Sequence, residues 1–292
     1  MPYTVTFWGT RGSIPTPGPD TARYGGNTSC VAVERRQDEG QHLVVLDAGT
    51  GIRPLGMELM GRANGTVAVD LLVTHTHWDH IQGLPFFAPF FSPGNTVRIW
   101  GPQQGDVDLG TILRQQMHPV VFPVPLDALA ADLGVEHVQP GPFQVDGFQV
   151  QSMRLRHPGM TLGYSLQPIE GGAKLAYVTD NELGDGGRYA VGGAGWREEC
   201  VAFLDRAEVM IHDAMYSPDE LAGKRGWGHS SYEEAIALAC EAGVKQLVLF
   251  HHRPEHDDAA MDAMVATARG AAASHGDAVD VIAATEGLQL TL

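Results

Sequence analysis

Cysteine is scarce: Cys30, Cys200 and Cys240 stand far apart in 292 residues, without a C-x-x-C pair and with one left over. Such a set excludes a disulfide framework and leaves the three as small core residues. Long apolar runs are missing as well. No tract of 18 apolar residues occurs, so no membrane-spanning helix is expected. The opening Met1-Pro2-Tyr3-Thr4 passes at once into strand-like alternation, without a charged and then apolar leader, and a cytoplasmic protein is expected. Basic charge is the third shortage, with 19 Lys and Arg against 35 Asp and Glu and a formal charge of -16. Duplex or tRNA binding relies on many Lys and Arg contacts to phosphate, so a small substrate is favoured over a long nucleic acid. Repeats and low-complexity linkers are absent too, and 43% hydrophobic content is enough for a large core. One domain over 1–292 is expected.

Short β-rich segments at 4–8, 30–34, 42–46, 67–74, 97–100, 149–155, 174–179, 208–212, 246–250 and 279–283 predict strands. A helix is predicted at 232–242, where Ser231 and Glu234 form a capping box and Ile236, Ala239 and Cys240 an apolar face. Another is predicted at 259–275, from Met261, Met264, Val265 and Ala268. The early part reads as strands joined by turns and the later part as strand alternating with helix, which suits two sheets face to face with helices outside. The Phe- and Pro-rich region 85–125 reads as an inserted lobe, with Phe86, Phe87, Phe90 and Phe91 packing or lining a pocket wall.

The segment Thr74-His75-Thr76-His77-Trp78-Asp79-His80 sets three imidazoles and a carboxylate within six residues, directly after an apolar run. Alternate side chains of an extended segment share a face, so His75 and His77 can present two nitrogens to one cation. If the chain then turns helical, as His80-Ile81-Gln82-Gly83-Leu84 suggests, Asp79 and His80 swing toward a second point. Each site would need further ligands. Asp47, His157, Asp180 and His251 each follow an apolar strand, and polar residues at strand ends are how α/β folds build sites. His252 competes with His251, which comes first after its strand.

The order Asp47, H-x-H-x-D-H, His157, Asp180, His251 closely resembles the metallo-β-lactamase superfamily over nearly the whole chain. The resemblance implies an α/β fold, an αββα sandwich of two mixed β-sheets flanked by helices. It also implies two Zn2+ ions, with His75, His77 and His157 on one, Asp79, His80 and His251 on the other, and Asp180 bridging. Asp47 would accept a hydrogen bond that orients a ligand histidine. Zinc is preferred because imidazole dominates and because the di-iron branch carries Glu where His77 stands; Mn2+ or Fe2+ are the alternatives. His118, His137, His256 and His275 have no place in the pattern and read as surface or packing residues.

Two such cations lower the pKa of a bridging water toward about 7 and stabilise charge on a phosphoryl oxygen, while Asp79 can orient the hydroxide. The leaving alkoxide needs a proton, for which His229 in Trp227-Gly228-His229-Ser230-Ser231 is the candidate. Asp213 could fix its tautomer and raise its pKa. This pair resembles motifs of the tRNA 3′-processing ribonuclease branch, although Asp in place of Glu shortens the reach by one methylene. The glycine-rich turns at 9–13 and 24–29 resemble the openings of phosphodiesterase-like members; backbone with φ > 0 explains the glycines, and Arg11 or Arg23 is a further candidate for holding a substrate phosphate.

The expected function is therefore a dinuclear metal-dependent hydrolase that cleaves a small phosphodiester, a cyclic nucleotide for preference, by attack of a metal-bridging hydroxide. The alternatives are a tRNA 3′-processing endonuclease, whose basic Gly- and Pro-rich arm has no clear counterpart here, and a thioesterase- or lactamase-type hydrolase. A metal-binding module without activity is disfavoured because no ligand is lost. A homodimer is allowed, and no membrane partner is expected.

Overall fold

Residues 43–46, Leu-Val-Val-Leu, have no polar break, and that pattern belongs to a strand buried on both faces. In the computed structural model, which describes residues 2–35, 41–62, 66–184, 191, 193–275 and 279–292, they do lie between two apolar layers. Val44 and Leu46 face a second sheet, whereas Leu43 and Val45 face a helix layer.

The first sheet holds β1 (Tyr3–Gly9), β2 (Cys30–Arg35), β3 (Gln41–Leu46), β4 (Val67–Leu72), β5 (Thr96–Gly101) and β6 (Asp132–His137). The second holds β7 (Gly141–Val145), β8 (Phe148–Arg154), β9 (Leu162–Pro168), β10 (Leu175–Val178), β11 (Val209–Asp213), β12 (Gln246–Phe250) and β13 (Asp280–Ala283). The last strand, β14 (Gln289–Thr291), returns to the first sheet beside β1, giving the orders β14-β1-β2-β3-β4-β5-β6 and β13-β12-β11-β10-β9-β8-β7. Both sheets are mixed: β14-β1-β2-β3 and β7-β8-β9-β10 pair antiparallel, and β3-β4-β5-β6 and β10-β11-β12-β13 pair parallel.

Between the sheets Val5, Phe7 and Val33 meet Tyr164, Tyr177 and Phe250. Each such fully buried side chain contributes on the order of 1.5–3 kcal/mol. Outside the first sheet lie α1 (Ile52–Arg62), the short α2 (Trp78–Ile81) and α3 (Leu109–Gln116). The second sheet is covered by α4 (Trp196–Leu204), α6 (Tyr232–Glu241) and α7 (Asp258–Ser274), with the short α5 (Pro218–Ala222) preceding α6. α6 begins with the expected capping box, and Met261, Met264, Val265 and Ala268 of α7 are buried. Among the described residues no helix is long and apolar enough to cross a membrane.

Three expectations need correction. The early part is not merely strands and turns, since α1 joins β3 to β4 and α3 joins β5 to β6, as parallel neighbours require a crossover. The region 85–125 is no inserted lobe: it contains β5, an interior strand paired to β4 and β6. Phe87 and Phe90 are core, while Phe86 and Phe91 are exposed. Finally, β6, β7, β9 and β14 form where no strand is predicted.

Candidate metal centre

Parallel pairing gathers the C-terminal ends of β3, β4, β10, β11 and β12 along one edge of the sandwich, and every candidate residue of the site but His157 and His229 comes from these ends or from the turn after β4. Asp47 and His251 stand immediately beyond their strands and Asp180 one residue further, with φ of 61°, 60° and 52°. Non-glycine residues seldom adopt this region, which costs on the order of 1–3 kcal/mol, so the packing around them enforces it.

After β4 the chain bends at Thr74, reaches His77 in an extended conformation (φ -64°, ψ 151°) and turns helical at Trp78. His75 Nε2 and His157 Nε2 lie 3.0 and 3.1 Å from His77 Nδ1. Asp180 Oδ2 stands 3.7 Å from His75 Nε2 and 3.5 Å from His157 Nε2. Its other oxygen, Oδ1, is 3.1 Å from both His80 Nε2 and His251 Nε2. Asp79 Oδ2 closes this second group at 3.3 Å from His80 Nε2 and 3.1 Å from His251 Nε2. In each group of four the potential ligand atoms lie within 4.8 Å of one another. His252 does not join them; its Nε2 donates to the carbonyl of Ala284 at 2.8 Å.

The remaining imidazole nitrogens are held from behind. His80 Nδ1 donates to Asp47 Oδ2 at 2.8 Å, and His157 Nδ1 donates to the Gly228 carbonyl at 2.8 Å, so both rings turn Nε2 inward. Asp47 also accepts from the Thr74 amide at 2.7 Å and the Tyr177 hydroxyl at 2.9 Å. The Ser13 amide donates to Asp79 Oδ2 at 2.7 Å. Gly12 makes this approach feasible, because a Cβ there would lie 2.4 Å from the His251 ring.

Burial holds His75 well below 6.5 and brings His157 down to about 4, so both are neutral. Burial pushes Asp79 and Asp180 toward the neutral acid, but the facing imidazoles of His80 and His251 overcome it and keep both well below the usual carboxylate range. His75 and His157 thus offer neutral nitrogens, whereas at His80 burial is outweighed by Asp180, Asp79 and Asp47, which raise it well above 6.5. Its Nε2 is buried without a hydrogen-bond partner, between two buried carboxylates. Buried charge of this kind needs a cation, and imidazole nitrogen with carboxylate oxygen is the donor set of a divalent metal site.

His229 lies over the second group. It stacks on His251 at 5.1 Å and 21°, and its Nδ1 is 2.7 Å from Asp213 Oδ2. The shorter Asp side chain therefore reaches. Burial disfavours a charged His229, yet Asp213 outweighs burial and lifts it to about 9.

The family model for the beta-lactamase superfamily domain matches residues 42–252. The chain belongs to the beta-lactamase superfamily. It is 27% identical over 292 residues to Ribonuclease Z of Halorubrum lacusprofundi, with 86% of each chain covered. Human tRNase Z, short form, shares the fold at a TM-score of 0.65 and 21% identity, with 98% of each chain covered. Yeast PDE1 shares it at a TM-score of 0.70 and 15% identity, with 99% of each covered. As a member of the beta-lactamase superfamily the chain is a metal-dependent hydrolase.

The structure also places residues that motif order within the superfamily does not mark. Glu182, buried two positions after Asp180, accepts from the amides of Gly226 at 3.0 Å and Gly228 at 2.9 Å. It thereby fixes the loop that orients His157 and carries His229. The only local cue was its place two residues after the strand-end Asp180. Arg11 is not a phosphate ligand: its guanidinium is buried and donates to the carbonyls of Gly25, Arg253 and His256. Nor is Arg23, which is paired with Asp262 on α7. His256 pairs with Glu220 at 2.8 Å, as a packing histidine would. His137, read as a surface or packing residue, lines a cleft of about 800 Å³ that reaches His157.

Proposed function

We propose that this chain is a dinuclear zinc phosphodiesterase for small phosphodiesters, with a cyclic nucleotide as the first substrate to test. The observation that carries the reading is the division of Asp180, whose two oxygens face two separate groups of imidazole nitrogens. One carboxylate between two nitrogen clusters is the arrangement that holds a pair of cations. His75, His77 and His157 would hold one ion, Asp79, His80 and His251 the other, and Asp180 would touch both. Bound there, the pair supplies an activated water and a Lewis acid for a phosphoryl oxygen.

The chain's own residues complete the chemistry. Asp79 is oriented by the Ser13 amide, so its carboxylate is fixed before substrate arrives. Asp213 occupies His229 Nδ1, which leaves Nε2 to carry the proton that the leaving alkoxide requires. The formal charge of -16 supports a small substrate over a long polyanion. A ribonuclease acting on tRNA is the second reading, favoured by the name of the Halorubrum relative and its match along 86% of both chains.

The test is turnover of 3′,5′-cyclic AMP, bis(p-nitrophenyl) phosphate and a precursor tRNA by protein stripped of metal and reloaded with zinc or manganese. Metal-restored hydrolysis of cyclic AMP together with the activated diester is expected. Cleavage of the tRNA instead moves the chain to the second reading, and no diester cleavage at all overturns both. Elemental analysis should count two ions per chain, falling to one or none in Asp180→Ala.

A further inference from the structure

Among the described residues the cations of this acidic chain are nearly all committed. Among the described arginines, Arg98 binds Asp132, Arg197 binds Glu241, Arg253 binds Glu220, and the buried Arg11 binds carbonyls. Only Arg53 and Arg154 place the guanidinium in no ion pair or hydrogen bond with another described residue. Arg154 ends β8, three residues before His157, and lines the cleft of about 800 Å³ that this histidine also lines. No carboxylate lines that cleft among the described residues, although acids outnumber bases 35 to 19 in the chain. His137, Gln103 and Gln139 add hydrogen-bonding groups, and Met160 supplies an apolar wall. The volume is that of a small-molecule site.

Most of the other described arginines of this chain do pair with a carboxylate. Arg154 also lines an adjoining hollow with Glu199, yet makes no ion pair with it, and in the cleft that a metal-ligand candidate shares, with no carboxylate among its described lining residues, it is placed to receive an anion. A guanidinium presents two parallel N–H groups that fit the oxygens of a phosphoryl group. We propose that Arg154 is a specificity-determining residue that binds a phosphoryl group of the substrate other than the one at the metal centre. This rests on the phosphodiesterase reading and deepens it: the favoured substrate is a small diester with a second phosphate, of dinucleotide size. Arg53 is the internal control. It is equally unpaired but lines a separate hollow of about 400 Å³ with Gln82 and Phe86, which no metal-ligand candidate lines.

The experiment compares adenylyl-adenosine with its 5′-phosphorylated and 3′-phosphorylated forms on the metal-loaded enzyme, in the wild type, Arg154→Gln and Arg53→Gln. One phosphorylated form should show a KM about tenfold lower than the unphosphorylated dinucleotide, the effect of one charge-assisted contact. Arg154→Gln should erase that difference with kcat unchanged within about twofold, and Arg53→Gln should keep it. Equal KM values in the wild type, a preference that survives Arg154→Gln, or equal loss in Arg53→Gln overturns the proposal. If no dinucleotide is turned over, the diester reading has failed, and calorimetry on the metal-free protein still decides the role of Arg154. Adenosine 5′-monophosphate binding more tightly than adenosine, with the advantage lost in Arg154→Gln, supports the phosphoryl site; equal affinities overturn it. A long RNA that outcompetes both dinucleotides regardless of Arg154→Gln also overturns it, in favour of a nucleic-acid surface.

Discussion

Gly228→Ala should damage the candidate metal centre without replacing any of its ligand candidates. Gly228 has φ of 86°, and a Cβ there would lie 2.3 Å from His157 Nδ1 and 2.7 Å from Pro158 Cδ. The backbone alone costs an alanine about 1–3 kcal/mol at such a φ. The clash falls on a ring nitrogen that the Gly228 carbonyl itself holds, so relieving it breaks the 2.8 Å hydrogen bond. That adds about 1 kcal/mol. The expected destabilisation is thus about 2–4 kcal/mol by urea denaturation. Losing the partner that orients a ligand histidine should also weaken metal binding by about 10–100-fold, measured by competition with a chromogenic zinc chelator. Gly223→Ala is the control from the same stretch, since its φ is -90° and nothing lies within 4 Å of the added Cβ. Wild-type zinc affinity and stability in Gly228→Ala would refute the argument that this loop positions His157.

Asp47→Ala strips a buried acceptor from the Thr74 amide and hydroxyl, His80 Nδ1 and the Tyr177 hydroxyl, and should cost about 4 kcal/mol or more in urea melts; a loss under about 1 kcal/mol would contradict the buried network. In metal-free protein His229 has its folded pKa raised from 6.5 to about 9. Its stabilisation is then full below pH 6.5 and disappears as pH rises through about 9, amounting to at most about 3 kcal/mol. The stability gap between wild type and His229→Gln should accordingly shrink from pH 6 to pH 10, and a constant gap would show that the charged pair contributes nothing. Gly270→Ala, inside α7 with open space around the new Cβ, should raise stability by about 0.5–1 kcal/mol and leave zinc affinity unchanged; a lower Tm would mean that unseen packing governs that face.

What could be read from sequence was whatever chemistry lay close along the chain or at a strand end. His75 to His80 carry their own change from extended to helical backbone, and the capping box of α6 announces its start. Glu182 escaped because its partners, Gly226 and Gly228, lie 44 and 46 residues further on, and no local pattern links a carboxylate to distant amides. The first helix escaped for a different reason. Pro54, Gly56 and Gly61 give it poor propensity, and Gly56 is required by packing, since a Cβ there would stand 2.8 Å from the Phe87 ring. The strands β6 and β7 are largely solvent-facing and show little apolar alternation to read. Arg11 misled because a glycine-rich turn can hold a phosphate or simply fold tightly, and only burial tells the two apart.

The pairing order also accounts for why two aspartates do different work. Each sheet runs through three antiparallel pairs and then three parallel ones, and Asp47 and Asp180 each follow the strand where the change occurs, β3 and β10. Both adopt positive φ there, at 61° and 52°, and both carboxylates are buried. Position and backbone are equivalent, so the difference must come from the partners. Around Asp47 stand N–H and O–H donors, from Thr74, Tyr177 and the back of His80, and they satisfy its oxygens completely enough to make it a support. Around Asp180, which accepts one hydroxyl from Thr179 at 2.8 Å, stand the Nε2 atoms of His75, His157, His80 and His251, four rings that cannot all be charged side by side without repulsion beyond what Asp180 and Asp79 offset. A cation between them removes that conflict. The same strand-end geometry therefore gives a brace in one half of the fold and a metal-ligand candidate in the other, decided by whether backbone and hydroxyl donors or a ring of four imidazoles surrounds the carboxylate.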